Sequence, residues 1–226
     1  MKLMSFTHDL KEKLLPVWQQ NHTHPFVEEL GQGTLDKEKF RYFMVQDYLY
    51  LVQYAKLFAV GAVKAEDVET MGAFAKVMDV TMNEEMSLHR QYAKKFGITE
   101  QELEQAEPAP TTLAYTRYML HEGQNGGLAE LLAAVLPCMW SYAEIGRKLS
   151  TWPGALEHEL YGEWVQMYSD DEFQQLADWG ISMLDRLAEN KPEAEKRKIE
   201  NIFLTTTRFE YLFWEMAYQL EDWPQT

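Results

Sequence analysis

The chain holds one cysteine among its 226 residues, so it forms no internal disulfide and carries no mark of an oxidising compartment. Positive charge is also scarce: 21 Lys and Arg stand against 36 Asp and Glu, a formal net charge of −15. Such a surface repels phosphate backbones and anionic lipid, which argues against nucleic acid and membrane as partners. No unbroken apolar run approaches the ~18 residues of a membrane span, and charges interrupt the N-terminal MKLMSFTHDLKEKLL too early for a signal core. The expected setting is the cytoplasm. Walker loops, G-x-G-x-x-G, H-E-x-x-H and runs of alternating β-branched residues are all missing. None of the six histidines has Glu three residues before it, which removes the E-x-x-H pair of di-iron bundles. Only His22, His24 and the Glu85/His89 pair remain as metal or haem candidates. For His89 a salt bridge or a capping role is the stronger reading.

Helical periodicity is what the sequence has in plenty. Leu10, Leu14, Val17 and Trp18 share a face of a first helix that stops before Pro25. Asp36 is placed to cap a long helix reaching Val63, and Ala73–Phe96 reads as a third, ending at Gly97. Thr112 is expected to cap a short helix carrying Tyr115 and Tyr118. After the GQNGG break, Leu128–Leu149 forms another helix, in which Pro137 should kink the chain and leave the Ala133 carbonyl unpaired. Ser169 to Glu172 has the S-x-x-E form of a capping box, and Glu193–Leu220 makes the last helix. With no repeat, linker or low-complexity tract, residues 1–226 read as a single all-α domain.

Polar residues then fall where apolar ones belong. Asp47 lies in the stripe made by Phe40, Phe43, Met44, Leu51, Tyr54 and Phe58, with Tyr50 beside it. On the last helix, Phe203, Thr206, Phe213, Trp214 and Ala217 all lie within roughly 60° of Glu210. A carboxylate in such a place must find a partner or shift its pKa, and shifted groups concentrate at functional sites. Cys138 shares its helix face with Leu131, Ala134, Val135, Tyr142, Ile145 and Leu149. A cysteine so placed is ordinarily inert core; a thiolate-stabilising neighbour or a base would make it a nucleophile. Tyr50, Tyr115, Tyr142 and Tyr168 each carry a hydroxyl that needs a partner when buried, and offer stacking faces to a flat heteroaromatic ligand.

Five segments in this order carry a family resemblance: HPFVEEL (His24 to Leu30), GTLDKEKFRYFMVQDYLYL (Gly33 to Leu51), LPCMWSY (Leu136 to Tyr142), EWVQMY (Glu163 to Tyr168) and FEYLFWEMAY (Phe209 to Tyr218). The chain resembles the TenA, or thiaminase II, family of aminopyrimidine aminohydrolases in thiamin salvage, in its cysteine-containing branch. The resemblance implies a haem-oxygenase-like helical bundle, a homotetramer, and no metal or organic cofactor. It places the nucleophile on Cys138, the catalytic glutamate on Glu210, the substrate-reading aspartate on Asp47 and the pocket tyrosines on Tyr50, Tyr115, Tyr142 and Tyr168. The implied reaction converts 4-amino-5-aminomethyl-2-methylpyrimidine, or thiamin, to the hydroxymethylpyrimidine. Two other readings stand beside it: a haem- or metal-dependent oxygenase or oxidase of the same fold, and a non-catalytic pyrimidine-binding regulator.

Overall fold

The computed structural model describes residues 5–224, and among them every regular element is helical. Three short helices, α1 (Phe6–Lys13), α2 (Leu15–His22) and α3 (Pro25–Gln32), lead into the long α4 (Lys37–Lys64). Then come α5 (Val68–Val80), a π-helical turn (Thr81–Glu85), α6 (Met86–Lys95), α7 (Glu100–Gln105) and α8 (Pro110–Asn125). The chain closes with α9 (Leu128–Ser150), α10 (Gly162–Ser169), α11 (Asp171–Ala188) and α12 (Glu193–Gln219).

Asp36 caps α4 as its sequence implies, accepting from the Glu38 amide at 2.7 Å. Gly97 ends α6 with φ of 71°, a conformation that favours glycine. Other boundaries differ from the sequence expectation for identifiable reasons. The first helix is two, because the chain turns out of helical geometry at Leu14. The span expected as one helix over Ala73–Phe96 begins earlier, at Val68, and is interrupted by the π-turn. Thr112 does not cap α8: it lies inside the helix, its hydroxyl donating to Gln46 Oε1 at 2.8 Å. The same oxygen accepts from the Ala109 amide at 2.9 Å, and the Glu221 carboxylate, past the end of α12, does the work of the cap by accepting from the Thr111 amide at 3.0 Å. Ser169 closes α10, and Asp170 caps α11 instead, accepting from the Glu172 amide at 2.8 Å. Three short helices, α3, α7 and α10, are not marked by apolar periodicity.

Helix α9 is the axis of the bundle, with α4, α8, α10, α11 and α12 packed around it. By length and composition it is apolar enough to cross a bilayer, yet 78 % of its most apolar window is covered by the other helices. Pro137 sits inside it. The Ala133 carbonyl that Pro137 deprives of its helical donor accepts instead from the Thr206 hydroxyl of α12 at 3.2 Å, and the Val135 carbonyl accepts from Tyr54 of α4 at 3.0 Å. The expected unpaired carbonyl is therefore satisfied across the core, and the interruption ties α4 and α12 to the segment that carries Cys138.

Candidate active site

Against that segment lies a tight cavity of about 20 Å³, room for about one water, so a ring-sized ligand requires its walls to move apart. Asp47, Glu85 and Cys138 line it, with Tyr54, Tyr142 and Tyr168 as its aromatic wall. Three helices and the π-turn supply these groups, and α5 and α11 complete the lining with Val77, Phe173 and Leu176, so the cavity forms only when the bundle does.

Asp47 is buried on α4, and its Oδ2 lies 2.7 Å from His89 Nε2 of α6. The other imidazole nitrogen, Nδ1, lies 2.7 Å from the Glu85 carbonyl, an atom that can only accept. Both ring nitrogens thus act as donors, the arrangement of an imidazolium facing a carboxylate. Burial alone would lower the His89 pKa, but the hydrogen bond and charge of Asp47 outweigh it and the net shift is upward. The salt-bridge role expected for His89 is the one it has, and its effect is to hold Asp47 at the cavity wall.

Glu85, at the end of the π-turn, is buried and accepts from the Tyr168 hydroxyl at 3.3 Å. Burial, reinforced by the charge of Asp47, pushes its pKa up to about 7. Sequence periodicity paired Glu85 with His89 as neighbours on a helix but gave the carboxylate no role in a pocket. A π-turn has no clear sequence signature, although such turns frequently mark functional sites.

Glu210 of α12 is buried behind the cavity wall and accepts from the Tyr115 hydroxyl. Burial, with Asp47 adding to it against the Tyr115 hydrogen bond, pushes its pKa up to about 8. It is therefore an acid at neutral pH. Tyr50 and Tyr115 belong to the same rear layer, their rings 5.2 Å apart, with Tyr115 stacked on Phe209 at 5.0 Å. Tyr142 and Tyr168 stand edge to face at 5.0 Å in the front layer, and Tyr142 stacks on Trp214 at 5.0 Å. Tyr54, which reads as plain core in the sequence, joins them at the wall.

Cys138 is partly exposed and lines the cavity. Burial of the thiol raises its pKa first, and the charges of Glu210, Asp47 and Glu85 raise it further, while the nearby Tyr50 hydroxyl, which donates to Met119 Sδ at 3.6 Å, works the other way. Because Glu210 is itself protonated below about pH 8, its opposition lapses at neutral pH. Tyr50 is thus the neighbour that favours a thiolate.

The histidines weighed as metal or haem ligands have protein partners. His24 Nδ1 accepts from the Phe26 amide at 3.1 Å and Nε2 lies 3.0 Å from Glu215; His22 Nδ1 lies 2.8 Å from the Trp18 carbonyl. Among the described residues no three His, Cys, Asp or Glu side chains converge as a metal-binding group.

The family model described as TENA/THI-4/PQQC matches residues 11–220. The chain is 55 % identical to an aminopyrimidine aminohydrolase of Halalkalibacterium halodurans over 97 % of its own length and 98 % of that protein. A TenA family transcription regulator from a Silicibacter species, 32 % identical, superposes with a TM-score of 0.86 over 94 % of this chain and 96 % of that one. A domain with a haem-oxygenase-like fold from Shewanella denitrificans, 15 % identical, superposes with a TM-score of 0.74 over 97 % of this chain and 94 % of that one, a likeness of fold alone.

Proposed function

The chain belongs to the TENA/THI-4/PQQC family, and on that premise we propose how its cavity carries out the hydrolysis of an aminopyrimidine. The enzyme is an aminopyrimidine aminohydrolase of thiamin metabolism, a hydrolase that breaks a C–N bond. The observation that carries the mechanism is that a cysteine and an ion-paired aspartate line one small cavity, with a buried, protonated glutamate behind its wall.

In this reading Asp47 binds the pyrimidine edge. His89 occupies its Oδ2, and the remaining acceptor capacity pairs with an exocyclic amino group and a protonated ring nitrogen. Tyr142 and Tyr168 flank the ring, and Tyr50 and Tyr115 back the chemistry from behind. Direct displacement at the exocyclic methylene is slow, and the enzyme avoids it by covalent addition to the ring. Glu210 gives its proton to a ring nitrogen and, as a carboxylate, takes the proton of the Cys138 thiol, which leaves a thiolate hydrogen-bonded by Tyr50. Sulfur adds to a ring carbon, and the electron pair released into the ring expels the amine. The C–N bond breaks with its pair on nitrogen, leaving an exocyclic methylene.

Water adds to that methylene and its proton passes to the departing amine. The sulfur–carbon bond then breaks with its pair on sulfur, and the ring-bound proton returns through Glu210. The product is a hydroxymethylpyrimidine, with Cys138 and Glu210 restored. No metal or organic cofactor takes part. The preferred substrate is 4-amino-5-aminomethyl-2-methylpyrimidine rather than thiamin. The enzyme works as a homotetramer in the cytoplasm.

Incubating purified protein with 4-amino-5-aminomethyl-2-methylpyrimidine should release ammonia and the hydroxymethyl product in equal amounts, at a higher kcat/KM than thiamin is cleaved. Absence of turnover on both would refute the function. A higher kcat/KM for thiamin would reverse the substrate assignment alone.

A further inference from the structure

The mechanism above leaves one buried group of the cavity without a role. Glu85 is only 6 % exposed, lines the same space as Cys138, and is a carboxyl group. Among the described residues no lysine or arginine nitrogen comes within 4.0 Å of it. The nearest cation, His89, directs its Nε2 at Asp47 and its Nδ1 at the Glu85 backbone carbonyl rather than at the carboxylate. Its hydrogen-bonding neighbour is the Tyr168 hydroxyl at 3.3 Å. A carboxyl group enclosed without a counter-ion is costly to ionise, and a cationic ligand removes that cost.

The position of Glu85 relative to the way out adds a second observation. Val77, Phe173 and Leu176 line the cavity and also a large open groove on its outer side, so these three residues form the partition between the two. Glu85 and Glu84 are consecutive residues of the π-turn, the first facing the cavity and the second the groove. The groove continues over Asp170, Asp171 and Glu172 at the start of α11, with Lys76 as its cation. A positively charged group passing between cavity and solvent therefore meets carboxylates on both sides of the partition.

We propose that Glu85 is the leaving-group subsite of this enzyme: its carboxylate ion-pairs with the ammonium on the substrate's exocyclic methylene. This rests on the aminopyrimidine reading of the cavity. Asp47 fixes the ring at one wall, Cys138 stands over it, and Glu85 takes the charged substituent next to Tyr168. The ammonium loses the pair's hold when the C–N bond breaks and nitrogen leaves neutral, so the subsite favours a substrate with a protonated amine over the hydroxymethyl product. Burial holds the Glu85 carboxyl near neutrality when the site is empty, and a bound ammonium draws it to the carboxylate form.

The experiment measures affinity and turnover in parallel. In a Cys138→Ser background, calorimetry compares the 5-aminomethyl pyrimidine with its 5-hydroxymethyl counterpart, with Glu85 intact and as Glu85→Gln. The intact site should prefer the aminomethyl compound by tenfold or more. Glu85→Gln should erase that preference while hydroxymethyl affinity stays within about threefold, and Glu85→Asp should retain part of it. In the otherwise wild-type enzyme, Glu85→Gln should lower kcat/KM for the aminomethyl substrate at least tenfold more than for a 5-methoxymethyl analogue, whose leaving group is uncharged. Equal losses for both leaving groups, or an unchanged preference in the binding arm, would overturn the proposal. Should the enzyme turn over neither compound, the hydrolase reading fails, and the binding preference still decides the role of Glu85.

Discussion

Cys138 is the residue whose assignment most depends on its neighbours. A thiol on an apolar helix face is inert unless something favours its ionised form; burial pushes the Cys138 pKa well above the ordinary thiol value, only Tyr50 works against that, and the proposed proton relay through Glu210 would have to supply the rest. Cys138→Ser keeps the volume and most packing but offers an oxygen far harder to ionise, with no histidine base in contact. Its kcat should fall by at least ~10²-fold with the fold and product affinity retained. Steady-state turnover of the folded variant checks this, and near-normal kcat would return Cys138 to the core. Asp47 carries the second residue-scale prediction. Asp47→Asn removes both an acceptor charge for the ligand and the counter-charge of a buried imidazolium. Product affinity should weaken by ~2–4 kcal/mol, measured by calorimetry. Unchanged affinity would leave Asp47 as no more than the partner of His89.

At the scale of elements, the site depends on how closely α10 approaches α9. Gly146 makes that approach possible: a Cβ there would lie 2.3 Å from the Tyr168 carbonyl carbon and 2.4 Å from its oxygen, both backbone atoms that cannot rotate away. Gly146→Ala must push α10 outward, and Tyr168 with it. The expected cost is ~1–3 kcal/mol of stability, read from denaturant midpoints, together with weaker ligand binding at the cavity that Tyr168 lines. A variant with wild-type affinity would show that the Tyr168 position tolerates such a shift. The same reasoning explains α9. Pro137 is accommodated because Thr206 of α12 donates to the carbonyl it deprives, so a residue that breaks helices elsewhere here locks three together.

For the whole molecule, buried acids set the dependence of stability on pH. Glu85 and Glu210 have folded pKa values raised to about 7 and about 8, so the stability tied to their neutral forms is complete below their ordinary value and is lost as pH rises through the folded ones. His89, also raised, loses its contribution in the same direction. Glu144 behaves oppositely. Burial opposes its ionisation, but His22, Lys11 and Trp18 all bond to its carboxylate and hold its pKa down to about 2, so its contribution is lost as pH falls below ~4.5. The ligand-free protein should therefore be most stable near pH ~5, and urea midpoints should decline from there toward pH ~9. A midpoint that rises across that range would contradict the protonated state of both glutamates. Association is the other property at this scale. Val63, Val68, Met71 and Met82 are exposed apolar side chains around the α4–α5 junction and the π-turn, surface that a homotetramer would cover. Light scattering should give four times the 26.5 kDa chain mass, and a monomer mass would remove the tetramer.

Helix faces repeat every 3.6 residues, so an acid in an apolar stripe is visible without coordinates. For that reason Asp47, Glu210 and Cys138 stand out in the sequence, as do the all-α class, the Asp36 cap and the Gly97 stop. What periodicity cannot report is which stripes face one another. The pairing of Asp47 with His89 joins residues 42 positions apart, and the Tyr168–Glu85 bond joins residues 83 apart. Glu221 standing in for the cap of α8 and Thr206 satisfying the Ala133 carbonyl are likewise side chains from distant parts of the chain serving backbone groups. The π-turn that brings Glu85 to the cavity depends on how the helices beside it pack, since the local sequence suits an ordinary helix equally well. Local pattern identifies groups that must be buried. Only the tertiary structure decides which partner makes each burial tolerable, and from those partners come the protonation states on which the chemistry rests.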